Sequence, residues 1–241
     1  MSNHESFYGG LALGCLLVAF AAPALADEKP WSGAGKVGFV STGGNTDTET
    51  LNVGLDVNRK SERWWHSILF AAIRASDSGI TTAERYELNG KSRYRIDEKA
   101  YWFGSLRYQD DRFSGFEYQS SLAGGYGRVF IDSEIAYLSA EAGGGYRRSK
   151  PVDLIETSDD AIFQGSIKYE RQIGATSKFV NNFVMEAGED NTYLQNVAEV
   201  NVKINQRLSL SVGYELRHNT EVAPELENTD TLTTVNLVFG F

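Results

Sequence analysis

The chain has 241 residues, 23 Lys and Arg against 32 Asp and Glu, and a formal charge of −9; 41% of it is hydrophobic, with 12 Tyr and 13 Phe but 4 Pro. That acidic balance, with no basic patch, excludes a general nucleic-acid binder, which needs a positive footprint. Length allows one domain or two, and the single cysteine, Cys15, leaves everything beyond residue 26 without thiol, disulfide or thiolate-metal chemistry.

Residues 9–26, GGLALGCLLVAFAAPALA, form an apolar run that ends in Ala24-Leu25-Ala26 before Asp27. The run is short for a spanning anchor and is broken by Pro23, so it predicts an export signal (1–26) cleaved after Ala26, even though its first ten residues carry no Lys or Arg. Residues 27–32 are then expected to be a short periplasmic tail at the start of one barrel domain, 27–241.

Beyond residue 26 no segment approaches the roughly 20 apolar residues of a spanning helix. What recurs is alternation with period two, in segments of about ten residues. The series opens at 36–42 and turns at 43–46. In the next segment Leu51, Val53, Leu55 and Val57 alternate with Asn52, Gly54, Asp56 and Asn58. Segment 64–74 is apolar on both faces and its faces stay unassigned. In 85–96, Tyr86, Leu88, Gly90, Ser92, Tyr94 and Ile96 share one side, and Arg85, Glu87, Asn89, Lys91, Arg93 and Arg95 the other. Segments 99–109, 118–129, 134–148, 161–170, 178–187, 191–204 and 207–218 follow, the third and second of these rich in Gly and Ala.

The last strand, 229–241, sets Val235, Leu237, Phe239 and Phe241 on one face. A membrane barrel has reason to end so, because its closing strand turns an apolar face to lipid. Phe239 and Phe241 are therefore the expected signal for the barrel assembly machinery. The count is twelve strands, the even number of bacterial single-chain barrels. Tight connections near 59–63, 97–98, 131–133, 172–177 and 205–206 alternate with longer, acidic ones near 76–83, 110–116, 149–160 and 219–229, while those at 43–46 and 188–190 are short. The reading is an all-β, twelve-stranded antiparallel transmembrane barrel in the bacterial outer membrane, in contact with its lipids and lipopolysaccharide. A lipocalin-like barrel or a sandwich, with apolar faces inward, is the soluble alternative.

The stretch GKVGFVSTGGNTDTETLNVGLDV, residues 35–57, with Gly44-Asn45-Thr46 followed by alternating Thr and aliphatic residues, resembles the opening of the YdiY-like family of salt-induced outer-membrane proteins, defined by a domain of unknown function. The resemblance implies an osmotically regulated outer-membrane barrel and implies no catalytic residues or defined substrate.

No cofactor, metal cluster or catalytic set is expected. His66 and Ser67 are adjacent and point to opposite faces, and His218 has no Ser at matching height. A barrel lipid hydrolase and a surface-binding protein are the alternatives to a structural or transport role. The informative residues are inward charges: Arg85, Lys91, Arg93 and Arg95 on the fourth strand, Arg107 on the fifth, and Glu199 and Glu215 on the tenth and eleventh. Two arrangements stand open. The charges pair and plug the lumen, since buried charges need partners; or a water-filled lumen separates a basic wall from an acidic one and passes small ions or polar solutes. The acidic outer loops either are solvated or bridge to lipopolysaccharide through divalent cations.

Overall fold

The computed structural model describes residues 30–42, 48–111, 114–152, 156–222 and 226–241. Twelve antiparallel strands close into one barrel in chain order, β1 Trp31–Thr42, β2 Thr48–Lys60, β3 Trp64–Asp77, β4 Ile80–Arg95, β5 Ala100–Asp111, β6 Phe116–Asp132, β7 Ala136–Pro151, β8 Ser158–Gln172, β9 Ser177–Ala187, β10 Thr192–Lys203, β11 Leu208–Asn219 and β12 Thr229–Gly240, with β12 returning to β1. The export signal at 1–26, the start of the expected tail at 27–29 and the turn at 43–46 lie outside the described residues.

Burial is inverted relative to a soluble protein. Leu51, Val53, Leu55, Leu122, Leu210, Val212 and Tyr214 are exposed, while Glu87, Arg107, Glu141, Arg147, Glu186 and Arg217 are buried. Side chains alternate across a strand, so the apolar side of each ribbon faces outward, as in a transmembrane barrel. Aromatic residues gather at both rims of this band: Trp64 packs with Tyr94 and Trp102 with Tyr126 at one end, and Tyr108 stacks on Tyr118 near the other.

Two expectations need correction. Trp31 and Ser32 are not tail: they pair with Arg59 and Asn58 in the β1–β2 ladder, because continuing that ladder satisfies backbone groups that a tail would leave open. The connection expected across 76–83 is a turn at Ser78 and Gly79, both with positive φ (51° and 79°), the geometry that matches strand twist in a two-residue hairpin. A register shift at Ala75/Ser76 absorbs the odd residue and lets β3 and β4 pair almost to the turn. In β3 the unassigned faces separate by register: Trp65, Ser67, Leu69, Ala71 and Ile73 stand opposite the inward Arg93, Lys91, Asn89, Glu87 and Arg85.

On the outward face of β9 and β10, Asn181 Nδ2 donates to Asn196 Oδ1 at 3.0 Å. Each amide meets part of the other's need where lipid can supply none. Replacing one Asn by Leu should therefore destabilise by about 1 kcal/mol or be neutral, whereas replacing both should stabilise. A double-mutant cycle on unfolding in lipid checks this; additive single effects would remove the pair from the account.

The seam between β1 and β12 differs from the other ladders. Positions 34–37 pair with 240–237, and beyond Val37 no register pair joins the two strands among the described residues. There β12 lies against the inner face of β1, and Asn52 Nδ2 on β2 donates to Asn236 Oδ1 on β12 at 3.0 Å, across the bare Cα of Gly38. Lys36 Nζ meets Glu199 Oε1 at 2.6 Å, tying β1 to β10. Side chains thus hold what the backbone leaves unzipped.

Candidate functional site: an ion-paired lumen

The end carrying the short turns 61–63, 96–99 and 133–135 is the periplasmic end in barrels of this type. A cavity of about 620 Å³ opens there, lined by Lys60, Trp65, Arg93, Arg95, Tyr101 and Lys168 among others. Trp65, Arg93 and Lys168 also border a mid-lumen cavity of about 420 Å³. That space in turn shares Lys36, Asp56, Glu87 and Glu199 with a chamber of about 160 Å³ beside the seam. A last space of about 150 Å³ towards the outer end shares Arg85, Glu215 and Arg217 with that chamber.

Between the last two spaces lies a lattice of charge. Arg85 Nη2 meets Glu215 Oε2 at 2.8 Å, Arg217 Nε meets Glu215 Oε1 at 2.6 Å, and Arg217 Nη2 bonds Glu87. Asn89 donates to Glu87 and Gln195 to Glu215, at 2.6 and 2.7 Å. On the neighbouring strand β5 Arg107 grips Glu186 of β9 through two nitrogens, and its guanidinium carbon stands 4.2 Å from the Tyr193 ring centroid. Ser121 Oγ donates to Glu186 at 2.7 Å, and Arg147 reaches Asp160 at 2.8 Å and the Glu186 carbonyl at 3.3 Å. Lower in the lumen Glu141 accepts from Lys91, Arg93 and Tyr101, at 2.6, 2.7 and 3.1 Å. These are charge-assisted bonds in a setting of low dielectric, where each partner left alone is costly.

Of the residues singled out from sequence, Arg85 and Glu215 are bonded directly, not arrayed on separate walls. Lys91 and Arg93 converge on Glu141, Arg107 on Glu186, and Glu199 on Lys36. Arg95 is exposed at the periplasmic mouth. Phe239 and Phe241 are exposed on the outward face at that end, and Phe241 exchanges both backbone bonds with Gly33 at 3.0 Å. Sequence reasoning missed Glu87, Glu141, Glu186, Arg147 and Arg217 as partners. Glu141 did carry a signal, a lone charge among Ala140, Ala142 and Gly143 to Gly145 well inside a strand, whereas Arg147 stands beside the exposed Arg148 and only its place in the alternation separates the two. Glu186 sits in a strand with no clean alternation and carried none.

The acidic outer rim is partly engaged: Asp160 and Asp111 are buried, and Arg148 holds Asp159 at 2.7 and 2.9 Å. Asp153 and Glu225 lie outside the described residues. On the outward face His66 Nδ1 and Ser92 Oγ lie 2.8 Å apart on neighbouring strands, with the Trp64 ring stacked on His66 at 5.5 Å. No group of three or more His, Cys, Asp or Glu placed to hold a metal ion occurs among the described residues.

A family model described as "Protein of unknown function, DUF481" matches residues 35–241. The uncharacterized protein YdiY of Escherichia coli (strain K12) is 30% identical over 216 residues, covering 88% of this chain and 84% of that protein. Among solved structures, the COG4313 outer membrane channel from Pseudomonas putida F1 superposes with a TM-score of 0.52 at 11% identity, over 88% of this chain and 95% of that one. The translocator domain of the autotransporter NalP from Neisseria meningitidis gives 0.45 at 11% identity, over 88% and 86%. At such identities the likeness of the channel to this chain is one of fold, that of an outer-membrane-type barrel. The family model and the relative together settle ancestry: the chain belongs to the DUF481 family of proteins of unknown function.

Proposed function

We propose that this protein is a narrow, non-enzymatic outer-membrane channel for small ions and polar solutes, closed at rest by the Arg85–Glu215–Arg217–Glu87 lattice. The observation that carries the reading is the succession of cavities, which runs from the periplasmic mouth through the mid-lumen to the seam chamber and stops at those four side chains. Twelve strands enclose more room than the eight whose side chains fill a barrel. Lys36, Glu199 and Lys91 border the cavities, and the lysines of the Lys36–Glu199 and Lys91–Glu141 pairs are partly exposed, so mobile ions screen them more than they screen a dry pair. A salt or osmotic response fits a lumen closed in this way. In planar bilayers the purified protein should give small conductance steps that rise faster with salt than the bulk solution does. The charge-neutral double variant Arg85→Gln/Glu215→Gln should raise the step size severalfold. Silence from both proteins would sink the channel.

The His66–Ser92 pair favours a second reading, hydrolysis of lipid esters at the barrel's outer face. Proton transfer from Ser92 to His66 is geometrically available, yet no acid or amide orients the ring among the described residues. Turnover of a phospholipid substrate that disappears in Ser92→Ala would select this reading over the first.

A further inference from the structure

We propose that the periplasmic vestibule is a binding site for small anions and sets the sign of the charge the channel admits. As a selectivity element it deepens the channel reading and rests on it; as an anion site it can be tested alone. Six cations line the vestibule: Lys60, Arg63, Arg93, Arg95, Lys99 and Lys168. Four acids face it, Asp97, Glu98, Asp132 and Glu170. Two of these are already engaged. Glu170 accepts from Lys168 at 2.8 Å and also from Lys178, and Asp97 Oδ1 accepts the backbone N–H groups of Lys99 and Ala100, each at 2.8 Å. Those donors hold the Asp97 carboxyl below its usual range, so it stays ionised but bound into its own turn.

The cations are less engaged. Among the described residues no ion pair holds Lys60, Arg95 or Lys99. Deeper in, the Arg93 guanidinium pairs with Glu141 through Nη2 at 2.7 Å, lies 4.6 Å from the Trp65 ring and 4.8 Å from the Tyr101 ring, and has a buried Nε with no acceptor. Lys60, Arg95 and Lys99, without an ion-pair partner among the described residues, around a cavity floored by a rigid, stacked guanidinium suit a halide, carboxylate or sulfate. The local sign opposes that of the chain as a whole, −9, and low-dielectric walls focus such a field.

Trp65 stands inside the vestibule and Trp64 borders its rim, whereas Trp31 and Trp102 are exposed on the outside. A variant carrying Trp31→Phe, Trp64→Phe and Trp102→Phe therefore reports from the site by fluorescence, in detergent micelles at low ionic strength. With each ion's quenching scaled to that of free N-acetyltryptophanamide, iodide should quench Trp65 about threefold more efficiently than caesium, the ratio expected for a modest positive potential. Adding Arg95→Gln with Lys60→Gln should bring the ratio towards one, and heat-modifiable mobility on gels verifies that each variant is folded. Equal quenching by the two ions, preference for caesium, or protection from both would overturn the site. Iodide preference without conductance would instead leave the anion site standing and remove the channel; conductance without iodide preference would do the reverse.

Discussion

Glu186→Ala should lower the stability of the barrel by about 3–5 kcal/mol, the range for removing one partner from a buried ion pair. The carboxylate is 1% exposed and holds Arg107 through two nitrogens and Ser121 through a third bond. Without it Arg107, 6% exposed in the parent, keeps Gln109 and the Tyr193 ring as neighbours. Neither neutralises the charge. A second variant separates this account from simple loss of packing: Arg107→Met with Glu186→Leu removes both charges and keeps volume, and should recover most of the loss. Urea unfolding in lipid vesicles, read by tryptophan fluorescence, gives both numbers. A single variant within about 1 kcal/mol of the parent, or a double variant as unstable as the single, would show that the pair does not act as a unit.

How far the sequence speaks depends on how far apart the interacting groups lie along the chain. Strand identity is local. Leu51, Val53, Leu55 and Val57 alternate with polar residues, and that period alone orients β2. β3 is opaque because its inward Trp65, Leu69 and Ile73 are apolar too: Trp65 serves as a stacking platform for Arg93, and Ile73 fills the space opposite Arg85. Which charges meet is not local at all. Arg85 and Glu215 are 130 positions apart, and Lys36 and Glu199 are separated by 163. Their meeting depends on the stagger of the whole closed sheet, which alternation does not encode. For the same reason inward charges read as separate walls from sequence, while closure turns them into bonded pairs. The Asn181–Asn196 pair and the His66–Ser92 pair escaped notice differently: each joins residues on neighbouring strands whose exact register only the ladder reveals.

Gly38→Val should open the β1–β12 seam, whereas Gly35→Val, three positions earlier on the same strand, should leave it closed. A β-carbon at Gly38 would stand 2.4 Å from Asn236 Oδ1 and 2.5 Å from the Val235 carbonyl oxygen. The first contact could swing aside; the second is backbone and cannot move without carrying β12 with it. At Gly35 nothing lies within 4 Å of the same atom. The larger side chain thus meets β12 at the height where register pairing has already stopped, and it also breaks the Asn52–Asn236 bond that crosses Gly38. What then resists separation is the pairing at positions 34–37, the two Gly33–Phe241 backbone bonds and the Lys36–Glu199 bridge. A fall in stability of several kcal/mol is expected, in line with overpacking against backbone. Because the region beyond residue 26 contains no cysteine, a spin-label pair at Val40→Cys and Thr234→Cys can follow the seam without interference. Its distance distribution should broaden and lengthen in Gly38→Val and match the parent in Gly35→Val. Identical distributions in all three proteins would mean that the upper seam is already fixed by contacts other than the Asn236 clasp, and lateral weakness there would have to be abandoned.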